Sequence, residues 1–426
     1  MTNLRDDSNE SKETKGTMLD PWINNYAERA NNLRSSEIRA LFSVVSRPEV
    51  VSLAGGMPNL KDLPIERLAE SAKKLILENG AVAMQYGQGQ GYKRLREQIL
   101  NVMAYENIKC DPDDIVVATG SQQILDLITS IFINPGDVVL VESPSYVGAL
   151  GGFRSYQADI QHVLMDQDGI IPEALEEKII EVKKSGKTIK FLYTIPNFHN
   201  PAGVTLSVKR RPQIVDICNK HHILIVEDNP YGLLGFNNET FPALHSYAPE
   251  SVVYLGSFSK IFAPGFRVGW AVAPHAIRNK LILAAESAIL SPSMVGQMGI
   301  SGYLEEYDWY GQIEKFRSMY KERRDAMLQA LADYMPNCTW TVPKGGFYTW
   351  VKVPEGINTK EMLPRAVTEL VAYVPGTAFY ADGQGTSYMR LAYCYPTPEF
   401  IREGVRRLSV VLNREVELVE LFGSKE

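Results

Sequence analysis

An open α/β sheet, mainly parallel and covered by helices on both faces, followed by a smaller α+β unit, is the fold predicted by this 426-residue sequence. Three observations lead there. Short apolar runs recur through the middle of the chain, helical patterns separate them, and the composition changes near residue 310. The runs are Ile115-Val116-Val117-Ala118, Val138-Val139-Leu140-Val141, Phe191-Leu192-Tyr193-Thr194-Ile195, Ile223-Leu224-Ile225-Val226 and Val252-Val253-Tyr254-Leu255. Each is continuously apolar or β-branched and gives way to Gly, Pro, Asp or Ser, as a strand buried on both faces of a parallel sheet does. Between them Ile124, Leu125, Leu127, Ile128 and Ile131 recur at helical spacing. Strand, crossover helix and strand in alternation make a doubly covered sheet.

Beyond residue 310 charged helical stretches such as Lys321-Glu322-Arg323-Arg324-Asp325 give way to isolated strands, at 347–353 and 389–393. The expected organisation is a solvated tail over 1–17, an arm or part of the small domain over 18–60, a large domain over 61–309 and a small C-terminal domain over 310–426. Acidic residues (50) outnumber Lys and Arg (44), a net charge of −6 that argues against a nucleic-acid footprint. No apolar stretch is long enough to span a bilayer, and the polar N-terminus has no secretory pattern, so the expected location is cytoplasmic. Cys110, Cys218, Cys338 and Cys394 form no Cys-x-x-Cys pair, and the six histidines show no ligand spacing. Free thiols and no metal are expected.

Open α/β sheets bind ligands at the carboxyl ends of their strands, so the polar residues following the five runs are read as one site. Asp228 closes the Ile223 run. A carboxylate at the rim of an apolar sheet calls for a cation, which a protonated pyridine nitrogen supplies; a helix N-cap is its ordinary alternative. Lys260 follows the next run, after Gly256-Ser257-Phe258-Ser259. Desolvation beside another cation lowers a lysine's pKa and prepares it for Schiff-base chemistry, whereas most lysines are simply solvated. Arg267, seven residues on, joins the Ser257 and Ser259 hydroxyls as a set suited to a phosphate dianion. Thr119-Gly120-Ser121-Gln122-Gln123 stands between a strand and a helix, where N–H groups attract an anion. Asn200, in Asn200-Pro201-Ala202-Gly203, and Tyr231 are placed to donate to a phenolate oxygen, and Tyr146 to lie over a flat ring. A turn Asn and a core Tyr are their plainer readings.

In this order the residues resemble the class I/II aminotransferases of the fold type I pyridoxal-phosphate enzymes, from about residue 36 to the C-terminus. Within that class the chain is most similar to the branch with 2-aminoadipate, kynurenine and aromatic aminotransferases. Ser52-Leu53-Ala54-Gly55-Gly56-Met57-Pro58, Gln85-Tyr86-Gly87, Gly120-Ser121-Gln122-Gln123, Asn200-Pro201-x-Gly203, Glu227-Asp228-x-Pro230-Tyr231 and Ser257-Phe258-Ser259-Lys260 carry the likeness. It departs at Ala202, where Thr often follows Pro, and at Asn229, where a second acid is usual; Phe198 and His199 are also unusual.

The resemblance implies roles. Lys260 would be the cofactor-binding lysine, Asp228 the pyridinium partner, and Asn200 with Tyr231 the phenolate contacts. Tyr146 would stack on the ring, while Ser121, Gln122, Ser257, Ser259 and Arg267 hold the phosphate. Arg390 would clamp the substrate α-carboxylate, Gly56 would admit the substrate close to backbone, and Arg39 would be a mobile substrate-side arginine. Tyr86 would reach the phosphate of a neighbouring subunit, which implies a homodimer with shared active sites. The activity implied is ping-pong transfer of an amino group from an L-amino acid of aromatic, 2-aminoadipate or branched-chain type to 2-oxoglutarate or another 2-oxo acid. Met57, Phe198 and Leu290 are the candidates for shaping the side-chain pocket. A lyase or decarboxylase on the same cofactor is the nearest alternative. A ligand-sensing regulatory module is the other, although only about 35 polar residues precede the matching region.

Overall fold

In the computed structural model residues 20–33 and 47–422 are described. The chain enters through β1 (Val51–Ser52), α1 (Ile65–Ala83) and α2 (Lys93–Met103). The sheet-forming region then runs β2 (Ile115–Ala118), α3 (Ser121–Phe132), β3 (Val138–Ser143), α4 (Val147–Ser155), β4 (Asp159–Asp166) and β5 (Gly169–Ile170). It continues with α5 (Pro172–Lys184), β6 (Ile189–Thr194), α6 (Arg210–Lys220), β7 (Leu224–Asp228), β8 (Val252–Ser257) and β9 (Gly269–Val272). Three helices follow, α7 (His275–Ile289), α8 (Met294–Glu306) and α9 (Trp309–Tyr334). The last part holds β10 (Thr339–Trp340), β11 (Tyr348–Lys352), α10 (Thr359–Thr368), β12 (Val371–Ala372), β13 (Val374–Pro375), β14 (Tyr388–Ala392) and α11 (Pro398–Phe422).

All five apolar runs are strands of one eight-stranded sheet, in the order β2-β9-β8-β7-β6-β3-β4-β5. Pairings β4–β3–β6–β7–β8 are parallel, and β9 runs antiparallel to both its neighbours. Every residue of β2 and β8 is buried, which accounts for their unbroken apolar character. The sequence reading passes over β4 and β9. β4 lies next to the edge and carries polar Asp159 and Gln161, so it lacks the apolar signature; β9 opens on Gly269 and follows the short Pro264–Phe266 turn instead of a crossover helix.

Parallel register does the positioning. Thr194 pairs with Glu227, and Asp228 with Leu255, so β6, β7 and β8 end together and release Asn200, Asp228 and Lys260 along one edge. The later strands form an antiparallel sheet, β10-β11-β14-β13, while β1 pairs with β12. Val50 and Ala54 join Trp350, Ala372, Val374 and Phe379 in one apolar cluster, so the segment before α1 packs against the C-terminal part of the chain. Among the described residues no helix is long and apolar enough to cross a membrane.

Candidate active site

A cavity of about 670 Å³ opens where β6, β7 and β8 end. A larger hollow of about 1050 Å³ lies elsewhere, bordered by Arg67, Tyr307 and Lys315, but none of the predicted site residues lines it. The chemistry is gathered in the smaller one.

Asp228 is the last residue of β7 and is 6% exposed. Its Oδ2 accepts a hydrogen bond from Tyr193 Oη at 2.8 Å, while its buried Oδ1 has no partner. Burial pushes the carboxyl up to about 6, and the Tyr193 bond opposes that shift. An unsatisfied buried acceptor costs about 1–3 kcal/mol, so this oxygen is a place for an incoming N–H donor. A protonated pyridine nitrogen fits that requirement.

Lys260 lies just past β8, its Nζ donating to the Gly56 carbonyl at 2.8 Å. Burial pushes the ammonium down to about 8; Cys394 opposes the shift, and the Arg390 and Arg267 charges add to it. This is the lowered lysine expected of a carbonyl-reactive amine. Arg267 and the first turn of α3, with Ser121 and Gln122, line the same cavity as Ser257 and Ser259. Arg267 Nη2 donates to the Thr119 carbonyl at 3.3 Å, and the Ser259 N–H to Ser257 Oγ at 3.1 Å. A cation, hydroxyls and a helix N-terminus make an anion cradle. Tyr146, just before α4, donates to Gln122 Oε1 at 3.4 Å, and burial pushes its hydroxyl up to about 12.

Opposite stands Arg390 on β14, 2% exposed. Nη1 donates to Asn200 Oδ1 at 2.8 Å and Nη2 to the Ala54 carbonyl at 2.6 Å, while Nε has no partner. The guanidinium lies over the Tyr348 ring, 4.1 Å from its centre. No carboxylate pairs with it among the described residues, and a buried unpaired cation calls for an anion. Tyr348 Oη is also 3.5 Å from Tyr231 Oη. A Cβ on Gly56 would stand 1.9 Å from that Tyr348 oxygen, so any larger residue there would have to displace the Tyr348 ring.

Twelve predicted residues therefore line one cavity: Gly56, Ser121, Gln122, Tyr146, Asn200, Asp228, Tyr231, Ser257, Ser259, Lys260, Arg267 and Arg390. Tyr86 is outside it and 76% exposed. Arg39 lies outside the described residues. Tyr193 and Tyr348 were missed, because Tyr193 sits in a run read as a buried strand and Tyr348 in an isolated strand of the small domain. The side-chain pocket needs correction too. Met57 lines the cavity, but Phe198 does not; it is fully buried against Gly345, Gly346 and Phe241. Leu290, just past α7, is exposed and does not line this cavity within the single chain. His199 is likewise a core residue, with Nε2 2.9 Å from Glu142 Oε2 and Nδ1 accepting the Ala202 N–H.

The chain is similar to known proteins over most of its length. The family model for aminotransferase class I and II matches residues 48–408. Aromatic-amino-acid aminotransferase 1 of Thermococcus litoralis is 42% identical over 92% of this chain and 95% of its own length. The crystal structure of Pyrococcus horikoshii kynurenine aminotransferase, in complex with PMP, superposes with a TM-score of 0.89 at 38% identity, over 94% of this chain and all of the other. LysN, the α-aminoadipate aminotransferase of Thermus thermophilus, solved with N-(5′-phosphopyridoxyl)-L-leucine, gives 0.86 at 35% identity, over 93% and 100%. The lyase and regulatory alternatives gain no support from these relatives. The chain belongs to the class I and II aminotransferases, on the type I fold, and is a pyridoxal-phosphate-dependent amino-acid transaminase.

Proposed function

We propose that the cavity residues divide the reaction among themselves as follows. Lys260 would hold the cofactor covalently, and its free amine would carry the substrate Cα proton as general base. Pyridoxal phosphate, when bound, supplies the electron sink for the Cα carbanion. Asp228, fixed by Tyr193, would hold the ring nitrogen and keep it protonated. Asn200 and Tyr231 serve the phenolate oxygen, Tyr146 covers the ring, and Ser121, Gln122, Ser257, Ser259 and Arg267 hold the phosphate. Arg390 takes the substrate α-carboxylate in a bidentate pair beside Gly56, and Arg39 serves the side-chain end.

One observation carries this reading: two buried groups of opposite charge, Asp228 and Arg390, each with an unpartnered atom, flank the lowered lysine in one cavity. The donor is an L-amino acid with an aromatic, 2-aminoadipate or branched-chain side chain, and the acceptor is 2-oxoglutarate or another 2-oxo acid. Apolar Met57, Leu125 and Ile195 on the cavity wall support the aromatic and branched-chain donors. A panel of amino donors incubated with 2-oxoglutarate, with glutamate as the product measured, tests it; glutamate from none of these three classes would refute it.

A homodimer with shared active sites completes the proposal. Met84 (70%), Tyr86 (76%) and Leu290 (54%) are exposed, and the Gly87 N–H bonded to Ser291 Oγ joins their segments into one apolar face. Residues 61–309 act as the large domain and 310–426 as the small one, with 18–60 joined to the latter. A cytoplasmic location accords with the net charge of −6.

A further inference from the structure

The loop after β7 leads from Asp228, the last strand residue, to Tyr231, and it is folded round a buried carboxyl that has no part in the chemistry above. Glu106, in the turn after α2, is 3% exposed. Its Oε1 accepts from the Asn229 side-chain amide and, at 3.4 Å, from Asn197 Nδ2. Its Oε2 accepts from Tyr254 Oη at 2.6 Å. Asn197 Nδ2 also donates to Asn229 Oδ1 at 3.0 Å, and Asn197 Oδ1 accepts from buried Arg211 Nη2 at 2.6 Å. Gly232 comes so near that an added Cβ would stand 1.9 Å from Glu106 Oε1. The carboxyl thus fills the inside of the Asp228–Gly232 turn. Through Asn197 it also reaches the segment that leads from β6 to Asn200.

Three donors converge on Glu106, so the site is built for an acceptor. Burial pushes this carboxyl up to about 7, and the bonds from Tyr254 and Asn229, with the Arg211 charge, hold it down. Without the carboxyl, the amides of Asn229 and Asn197 and the Tyr254 hydroxyl would lose their shared acceptor in a dry interior. Such groups recover partners by moving. Asn229 adjoins Asp228, so its movement carries the ring-nitrogen contact with it.

We propose that Glu106, acting through Asn229 and Asn197, is a positioning residue for transamination: it sets the spacing between the ends of β6 and β7, and so aims Asp228, Tyr231 and Asn200 at one cofactor. The proposal rests on the reading of those three residues as cofactor contacts. It also accounts for an amide at position 229, because a second acid there would face Glu106 across a buried contact.

The test compares holoenzymes of wild type, Glu106→Ala, Glu106→Gln and Asp228→Ala. Four quantities are read: the pyridoxal-phosphate Kd on reconstitution, the pH midpoint of the bound cofactor's visible absorbance, and the separate kcat and KM for one amino donor. Glu106→Ala is expected to lower kcat by about 10- to 100-fold, the range for residues supporting a direct ligand. The absorbance midpoint shifts with it, while the donor KM changes less than kcat, because the Ala54 carbonyl and the Tyr348 ring still hold Arg390 when Asn200 moves. Glu106→Gln, which keeps an acceptor for Asn229, restores most of the loss. If Glu106→Ala does not yield soluble protein, Asn229→Ala reads the same displacement. Wild-type kcat and midpoint in the soluble variant, even with a lowered Tm, overturn the proposal and leave Glu106 a core residue. Full activity in Asp228→Ala would instead overturn the reading of Asp228 itself, and the two failures are distinguishable.

Discussion

The two ends of the cavity solve one problem by different routes. At the ring-nitrogen end, Asp228 is held by a single side chain, Tyr193, from the adjacent strand of the same parallel sheet. At the carboxylate end, Arg390 comes from an antiparallel sheet and is gripped by the Ala54 carbonyl, the Asn200 amide oxygen and the Tyr348 ring. Neither has an opposite charge beside it among the described residues. Each is a buried charge waiting for its partner, and the partners differ: a cofactor that stays and a substrate that leaves. A group facing the cofactor affects the rate of chemistry, whereas one facing the substrate affects its capture as well.

Lysine 260 serves both ends, so Lys260→Ala is expected to have the largest effect, with steady-state turnover lost by more than about 10³-fold and no covalent cofactor absorbance. Turnover near wild type would end the comparison. Next, Asp228→Ala and Arg390→Ala separate the two ends. The first should lower kcat by about 10²–10³-fold with a modest change in KM. The second should lower kcat/KM by about 2–5 kcal/mol in free-energy terms, much of it as raised KM, because a buried charge loses its counterpart. Equal kcat and KM patterns in the two variants would show that the ends are not specialised. Tyr193→Phe removes one bond to a charged group and should cost about tenfold in kcat.

The smallest effect concerns pH. Lys260 is a nucleophile only when neutral, and its ammonium is pushed down to about 8. Reconstitution of the apoenzyme with pyridoxal phosphate should therefore quicken about tenfold per pH unit below 8 and level off above it. Stopped-flow absorbance checks this; a rate still climbing at pH 10 would place the lysine at its ordinary value.

The ring-nitrogen end was legible in the sequence because its residues follow apolar runs in chain order: Asn200 after one, Asp228 after the next, Lys260 after a third. Strand ends in a parallel sheet share an edge, so reading along the chain was reading along the site. Arg390 had no such signal and entered only through family resemblance, since nothing local links β14 to β7. Tyr193, Tyr348 and Glu106 escaped for a related reason. Their partners lie 35, 117 and 123 residues away, and such contacts depend on register and packing that one-dimensional patterns do not encode. Phe198 was misplaced because an aromatic residue two positions from Asn200 looks like a pocket wall, whereas the turn sends its ring into the core.

The account depends most on Lys260 as the attachment point of the cofactor. Borohydride reduction of the holoenzyme, followed by proteolysis and mass spectrometry, tests this directly. The expected result is a stoichiometric phosphopyridoxyl group on the peptide carrying Lys260 and on no other; label on a different lysine, or none, would contradict it.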